Sequence, residues 1–516
     1  MWSSAEGQRF VPAPARKPGE GVGPFRRMVI RGVTMIDGAG GPPRGPVDII
    51  IEGNRISNIR SAGTPGVPLQ PNREPRDFHH EIDATGMYLL PGFVDTHGHG
   101  AELSKAPDLS YAYKLWLAHG VTTVRGVPLA DVTTALSEKR RSDKNEIVAP
   151  RLFAYGRIGE GWKEGRIDSP EKAREFMRWA AAVGLDGVKF FNRGDETPEI
   201  DRAALDEARK LKLGTVAHLS QNNVGSFNAD DAGAAGLGTV THFYGHFESL
   251  LKDVTLQPFP ADYNNDDESM RFGEVANIRE HIYGPDTPQW RGYLDRQLQR
   301  GVTFDPTFVI YAASRDLMKA RTAEWLPTYT LPRLMRFFEA NREYHGSYFY
   351  DWTSERELAW KKYYELYGRL MNDYKNLGGR VTVGTDAGYI WKLWGFSYVE
   401  EMEIFLEAGF TPAEIMRAAT SEGAASIYAP KAEPAPFGMV RRGMLADLVI
   451  VPENPLANLK VLYGTQHLRL NPKTNEPERV GGVRYTIKDG IVYDAPALLR
   501  DVADMVAAEK RSLEQP

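Results

Sequence analysis

The sequence predicts an α/β protein: a (β/α)8 TIM barrel with a small β-sandwich domain formed by both termini. Three observations lead there. Short β-rich segments occupy both ends of the chain. The middle alternates β-branched apolar runs with longer amphipathic stretches. Several of those runs start at a glycine that follows a helix-like segment. The chain has 516 residues, 42% of them hydrophobic, which supports a large core and makes disorder a poor global reading.

In chain order, residues 1–27 form an N-terminal extension rich in Gly, Pro, Ser and Arg, without the apolar segment of a signal peptide. Residues 28–36 read as a strand, 37–41 as a turn, and 46–51 and 54–59 as further strands. The same style returns near the C-terminus, in 445–451 and in a hairpin over 483–493 around Lys488-Asp489-Gly490. A composite β-sandwich from 28–90 and 431–500 follows, with 501–516 as a C-terminal helical tail. The barrel spans 91–430. Its strand candidates include 120–124, 187–191, 214–218, 238–242, 301–304 and 381–386. Residues 248–300 break the rhythm as a long insertion, either a lid or a surface excursion with no catalytic part.

Composition removes several function classes. No run approaches the ~18 apolar residues of a membrane helix. The net charge of -5, with both signs interspersed, argues against a nucleic-acid partner. The chain contains no cysteine, so thiolate metal sites and a cysteine nucleophile are excluded. A metal must be held by His, Asp, Glu or a modified side chain. Met1 directly before Trp2-Ser3-Ser4 is also compatible with a start placed on a processed chain. The expected protein is soluble, and its compartment is open between cytoplasm and export.

Six residues carry candidate chemistry. The apolar run 89–94 ends in Asp95-Thr96-His97-Gly98-His99; on a strand, i and i+2 share a side, so both imidazoles can face one cation. Lys189 lies inside an apolar run, where a neutral lysine can take up carbon dioxide as a carbamate. His218 and His242 each end a β-like run, and Asp386 closes Val383-Gly384-Thr385-Asp386. Singly, each has a bland reading: surface histidines, a lysine reaching water, hydrogen-bonded structural histidines, an N-cap aspartate. Together and in this order, all at strand ends, they do not.

That order resembles the amidohydrolase superfamily, in its binuclear carboxylated-lysine type, closest to the imidazolonepropionase-like and Xaa-Pro dipeptidase-like branch. The resemblance runs from Pro91–His99 through 120–125, 187–189, His218, His242 and Thr385-Asp386-Ala387-Gly388 to 420–425 and 443–449. It implies one metal on His97, His99 and Asp386, a second on His218 and His242, and N6-carboxylysine at Lys189 and a hydroxide bridging them. The metals would be two divalent ions, zinc first, with Mn, Co or Fe as alternatives. Homo-oligomeric assembly is implied as well. Two departures bear on substrate: the loop 156–163 lacks the Gly- and His-rich stretch of that branch, and 248–300 is unusual.

The function expected is hydrolysis of an amide or peptide-like C–N bond in a small molecule, such as an N-acyl amino acid, dipeptide or aryl amide with a hydrophobic group. Asp386 serves as base and then acid, and His242 helps polarise the carbonyl. Aromatic residues after strand ends (Trp162, Phe191, Tyr244, Phe247, Tyr389, Trp391, Trp394) suggest an apolar pocket, although half of them can equally pack under loops. Tyr244 and His246 are candidates for the carbonyl or a polar substituent, and Arg193 and Arg125 for a carboxylate. The alternatives are a deaminase, a cyclic-amide, carbamate or ester (lactone) hydrolase, and, outside catalysis, a silent barrel scaffold. Lys189 argues against a mononuclear deaminase.

Overall fold

The computed structural model describes residues 9–191, 196–221 and 223–514. Seven parallel strands follow one another around a barrel: β1 (Phe93–Gly98), β2 (Val121–Gly126), β3 (Arg151–Arg157), β4 (Gly187–Phe190), β5 (Gly214–Ala217), β6 (Thr239–Thr241) and β7 (Thr303–Asp305). Closure comes from the extended segment 380–386. On one side Phe304 N donates to Arg380 O at 2.9 Å and Thr382 N to Phe304 O at 3.0 Å. On the other, Thr96 N donates to Val383 O at 3.1 Å and Asp386 N to His97 O at 2.8 Å. The eighth position is thus filled by a strand-like run whose ladder is too sparse to count as a regular strand.

The strands are short because the sequence punctuates them firmly. Helices Pro170–Val183, Pro198–Leu211 and Pro288–Arg300 each start at a Ser or Thr cap followed by proline. The cap oxygens accept from Lys172, Ile200 and Trp290 N, which satisfies an otherwise orphaned amide. Gly301 then takes φ 69, a left-handed stop that lets the chain turn into β7.

The β domain draws on both termini, as expected, and its strands form one continuous eight-stranded sheet. Met28–Met35, Arg44–Glu52, Arg55–Ser61, His80–Asp83 and Tyr88–Pro91 come from the N-terminal side. Leu448–Val451, Tyr485–Lys488 and Ile491–Asp494 come from the C-terminal side. Leu448–Val451 pairs antiparallel with Tyr88–Pro91, which leads through Gly92 into β1, so the sheet anchors the first site-bearing strand. The helix Ala495–Glu514 packs on Ser110–Ala118 beside it. The extension over 9–27 lies along the barrel, with Leu103 N donating to Arg9 O at 2.9 Å and Ala13 N to Glu138 Oε2 at 3.1 Å.

Two excursions rise over the strands' C-terminal ends. The first holds the helix Glu268–Val275 and the turn Ala276–Glu280; the last part of the expected 248–300 insertion is the regular barrel helix Pro288–Arg300. The second, between β7 and the long helix Ser354–Asn376, was not singled out from sequence. Its short helical pieces and turns carry no clear periodicity to reveal it. No helix among the described residues is long and apolar enough to cross a membrane.

Candidate active site

All six ligand candidates meet where β1, β4, β5, β6 and the 380–386 segment end. Donor atoms of His97, His242 and Asp386 lie within 4.8 Å of one another. His99 Nε2 is 3.0 Å from Asp386 Oδ1, and Lys189 Nζ is 3.0 Å from His97 Nε2. The rings of His218 and His242 are 4.7 Å apart. Backbone geometry is spent on this convergence. His242 and Asp386 take left-handed φ of 62° and 54°, costly for residues with a Cβ and characteristic of sites held by their surroundings. Gly384 has no room for a side chain: a Cβ there would stand 2.3 Å from Asp305 Oδ1 and 2.8 Å from His97 Cβ.

Second contacts set which nitrogen each ring offers. His99 Nδ1 lies 2.9 Å from Pro128 O, which orients the ring so that Nε2 faces Asp386 Oδ1 at 3.0 Å. His242 Nδ1 pairs with Thr307 Oγ1 at 2.6 Å, which turns Nε2 inward, 3.8 Å from Asp386 Oδ2. His97 Nδ1 is buried without a hydrogen-bond partner, 3.5 Å from Asp305 Oδ2.

Electrostatics favour the ligating forms. Burial holds the imidazoles of His97, His218 and His242 well below the usual histidine range, and that of His99 below it. Burial also pushes the Lys189 amine down to about 7, against the pull of Asp386 and with the help of Arg157. Burial would raise the Asp386 carboxyl, but His97, the His99 hydrogen bond and Lys189 outweigh it and hold it well below the carboxylate range. Neutral imidazoles, an ionised carboxylate and a lysine able to lose its proton make a donor set that fits divalent cations.

A cavity of about 630 Å³ opens above this cluster. Its walls come from the strand ends and both excursions: Arg157, Phe191, Glu268, Arg271, Tyr311 and His345 among them. Of the residues expected to touch substrate, Tyr389 lines this cavity, edge-on to His99 at 6.1 Å. Tyr244 is fully buried with its ring 4.5 Å from that of His218, behind the cavity wall. His246 is buried lower, against Phe304 and with Nδ1 2.6 Å from Tyr293 Oη. Trp162 packs on Phe176 and Trp179, and Trp391 on Phe338, both under loops and away from the lining. Arg193 lies outside the described residues.

Arg125, a candidate for a substrate carboxylate, does not line this cavity. It is sealed inside the barrel, donating from Nε to Thr96 O at 2.6 Å and from Nη2 to Asp305 Oδ2 at 3.1 Å. Asp305 itself was missed, although it ends its strand as Asp386 ends the 380–386 run. Burial raises its carboxyl to about 6 despite Arg125. Arg9 was missed too, because an extension with no periodic pattern gives no hint that it reaches the cavity.

No protein-family model matches the chain. A stretch of 188 residues is 42% identical to N-acyl-D-aspartate deacylase from Alcaligenes xylosoxydans xylosoxydans. That stretch is 35% of this chain and spans only about a third (34%) of that relative. A crystal structure of a Xaa-Pro dipeptidase with bound methionine shares the fold with TM-score 0.60 and 17% identity, over 91% of this chain and 100% of that one. Bottromycin amidohydrolase does so with TM-score 0.62 and 18% identity, over 94% and 91%. The chain therefore shares its fold with these two proteins.

Proposed function

We propose that the chain is a metal-dependent hydrolase of amide or peptide-like C–N bonds, acting on N-acyl amino acids or closely similar small molecules. The observation that carries this reading is the meeting of four imidazoles, Asp386 and buried Lys189 at the floor of one cavity. His97, His99 and Asp386 would hold one divalent cation and His218 and His242 a second, with Lys189, as its carbamate, between them. Such cations, zinc or a similar ion, supply Lewis acidity to a carbonyl and acidify water.

The protein's own part follows from its geometry. Asp386, ionised at neutral pH, accepts a proton from the attacking water and returns it to the departing amine. Thr307 keeps the His242 ring facing the scissile carbonyl. The two excursions bury the reacting end of the substrate and exclude bulk water. Cationic and aromatic walls (Arg157, Arg271, Phe191, Tyr311, Tyr389) suit a substrate with a carboxylate and an apolar acyl or side-chain group. The name of the curated relative, a deacylase of an N-acyl amino acid, points the same way.

The test is turnover by zinc-loaded protein of a panel of N-acyl amino acids, dipeptides, aryl amides, carbamates and lactones. Expected are cleavage of the N-acyl amino acids and loss of that activity on chelation. A fully metal-loaded protein inert on every amide would end the reading.

A further inference from the structure

Arg157 is the last residue of β3 and sits in register with Lys189 on β4. Register partners on neighbouring parallel strands point to the same side of the sheet, so the Arg157 side chain enters the barrel mouth beside Lys189. It lines the cavity. Its guanidinium lies 5.1 Å from the centre of the Phe191 ring, which holds it by a cation–π contact.

The other cavity arginines are already engaged. Arg271 pairs with Glu268 at 3.1 Å, Arg342 with Asp351 at 3.2 Å, and Arg9 with Glu102 at 2.7 Å. Arg157 differs. Its Nε is buried and has no hydrogen-bond partner, and among the described residues no carboxylate lies within ion-pairing distance of its guanidinium. A half-buried cation without a partner is costly to maintain. Its planar fork matches a carboxylate in two parallel hydrogen bonds.

From this we infer that Arg157 is the anchor for a substrate carboxylate and sets the enzyme's preference for anionic amides. The inference rests on the amide-hydrolase reading of the same cavity. A substrate whose scissile carbonyl lies over His97 and Asp386 directs its acid group toward the mouth of β3, where the guanidinium receives it.

The experiment compares Arg157→Met and Arg157→Lys with wild type on two substrates that differ in one group, an N-acyl amino acid and its C-terminal primary amide. Metal content is measured on each protein. Expected is a rise in KM for the acid of roughly 10- to 100-fold in Arg157→Met, at least tenfold more than for the amide, with part of the loss recovered in Arg157→Lys. Metal content should match wild type. Equal losses on both substrates accompanied by loss of metal would overturn the anchor in favour of a role at Lys189, and unchanged kinetics on the acid would overturn it outright. A non-hydrolysable analogue of the acid, with CH2 in place of the amide N–H, separates the two ideas. If no amide is cleaved yet the analogue binds wild type and fails to bind Arg157→Met, the reaction is wrong and the anchor stands. If amides are cleaved and the analogue binds both proteins equally, the anchor falls and the reaction stands.

Discussion

Two polar layers are stacked inside the barrel, and each contains fully buried residues. In the lower one, Arg125 is 1% exposed and Asp305 0%; in the upper one, His97 is 0% and His242 1% exposed. What separates them is how the protein satisfies them. The lower layer is closed on itself: Arg125 serves Thr96 O, Thr239 Oγ1 and Asp305, while Thr96 Oγ1 meets Asp305 and Thr382. The upper layer turns donor nitrogens toward one another, sets an amine against an imidazole, and places two ligand candidates in left-handed backbone. A paired buried network supports the fold. A buried cluster left facing itself is built for something that joins it from outside.

The comparison can be broken most severely at the upper layer. Asp386→Asn should lower kcat by up to about 10⁴-fold while the protein keeps its metal and its melting temperature. Steady-state rates beside metal analysis decide this, and near-wild-type turnover would remove Asp386 from proton transfer. The matching cut in the lower layer acts on stability. Arg125→Met strands the Asp305 carboxylate and should cost about 3 to 5 kcal/mol in chemical denaturation. A cost below 1 kcal/mol would mean that the lower layer is not the structural one.

A third change tests a buried histidine outside both layers. His119 is fully buried, its Nδ1 donates to Leu115 O at 2.8 Å, and burial pushes its imidazole down to about 4. The unfolded chain binds that proton near pH 6.5 and the folded one only near 4, so stability rises with pH across this window and is lost as pH falls through it. The loss reaches about 3 kcal/mol at the acid end, and His119→Gln should flatten it. Denaturation midpoints at pH 7 and pH 4.5 that stay parallel in the two proteins would show His119 is not responsible. The smallest expected effect sharpens the contrast: His218→Asn, measured metal-free, should stay within about 1 kcal/mol of wild type, because among the described residues its ring has packing contacts but no hydrogen bond or ion pair to lose.

The sequence was most legible where period and chemistry coincide. His97 and His99 share a strand side, Lys189 lies within one apolar run and His218, His242 and Asp386 end others, so strand ends in a barrel carry them to one place. Legibility failed where position is set by long-range packing. Trp162 and Trp391 follow strand ends as Tyr389 does, yet they fill space beneath loops, and no local pattern separates the cases. Arg125 read as a candidate for a substrate carboxylate because its counter-ion, Asp305, is 180 residues away and invisible to local pattern. The second excursion, with Tyr311 and His345, has no periodicity to announce it, and Arg9 reaches the cavity from a stretch that reads as a tail.

The central claim is a paired metal centre that includes Lys189, and metal stoichiometry tests it most directly. Wild-type protein reconstituted with zinc in the presence of bicarbonate should retain two equivalents per chain after gel filtration. Lys189→Ala should retain one or fewer. Wild-type protein that retains no tightly held metal, or Lys189→Ala that retains two equivalents, would contradict the account.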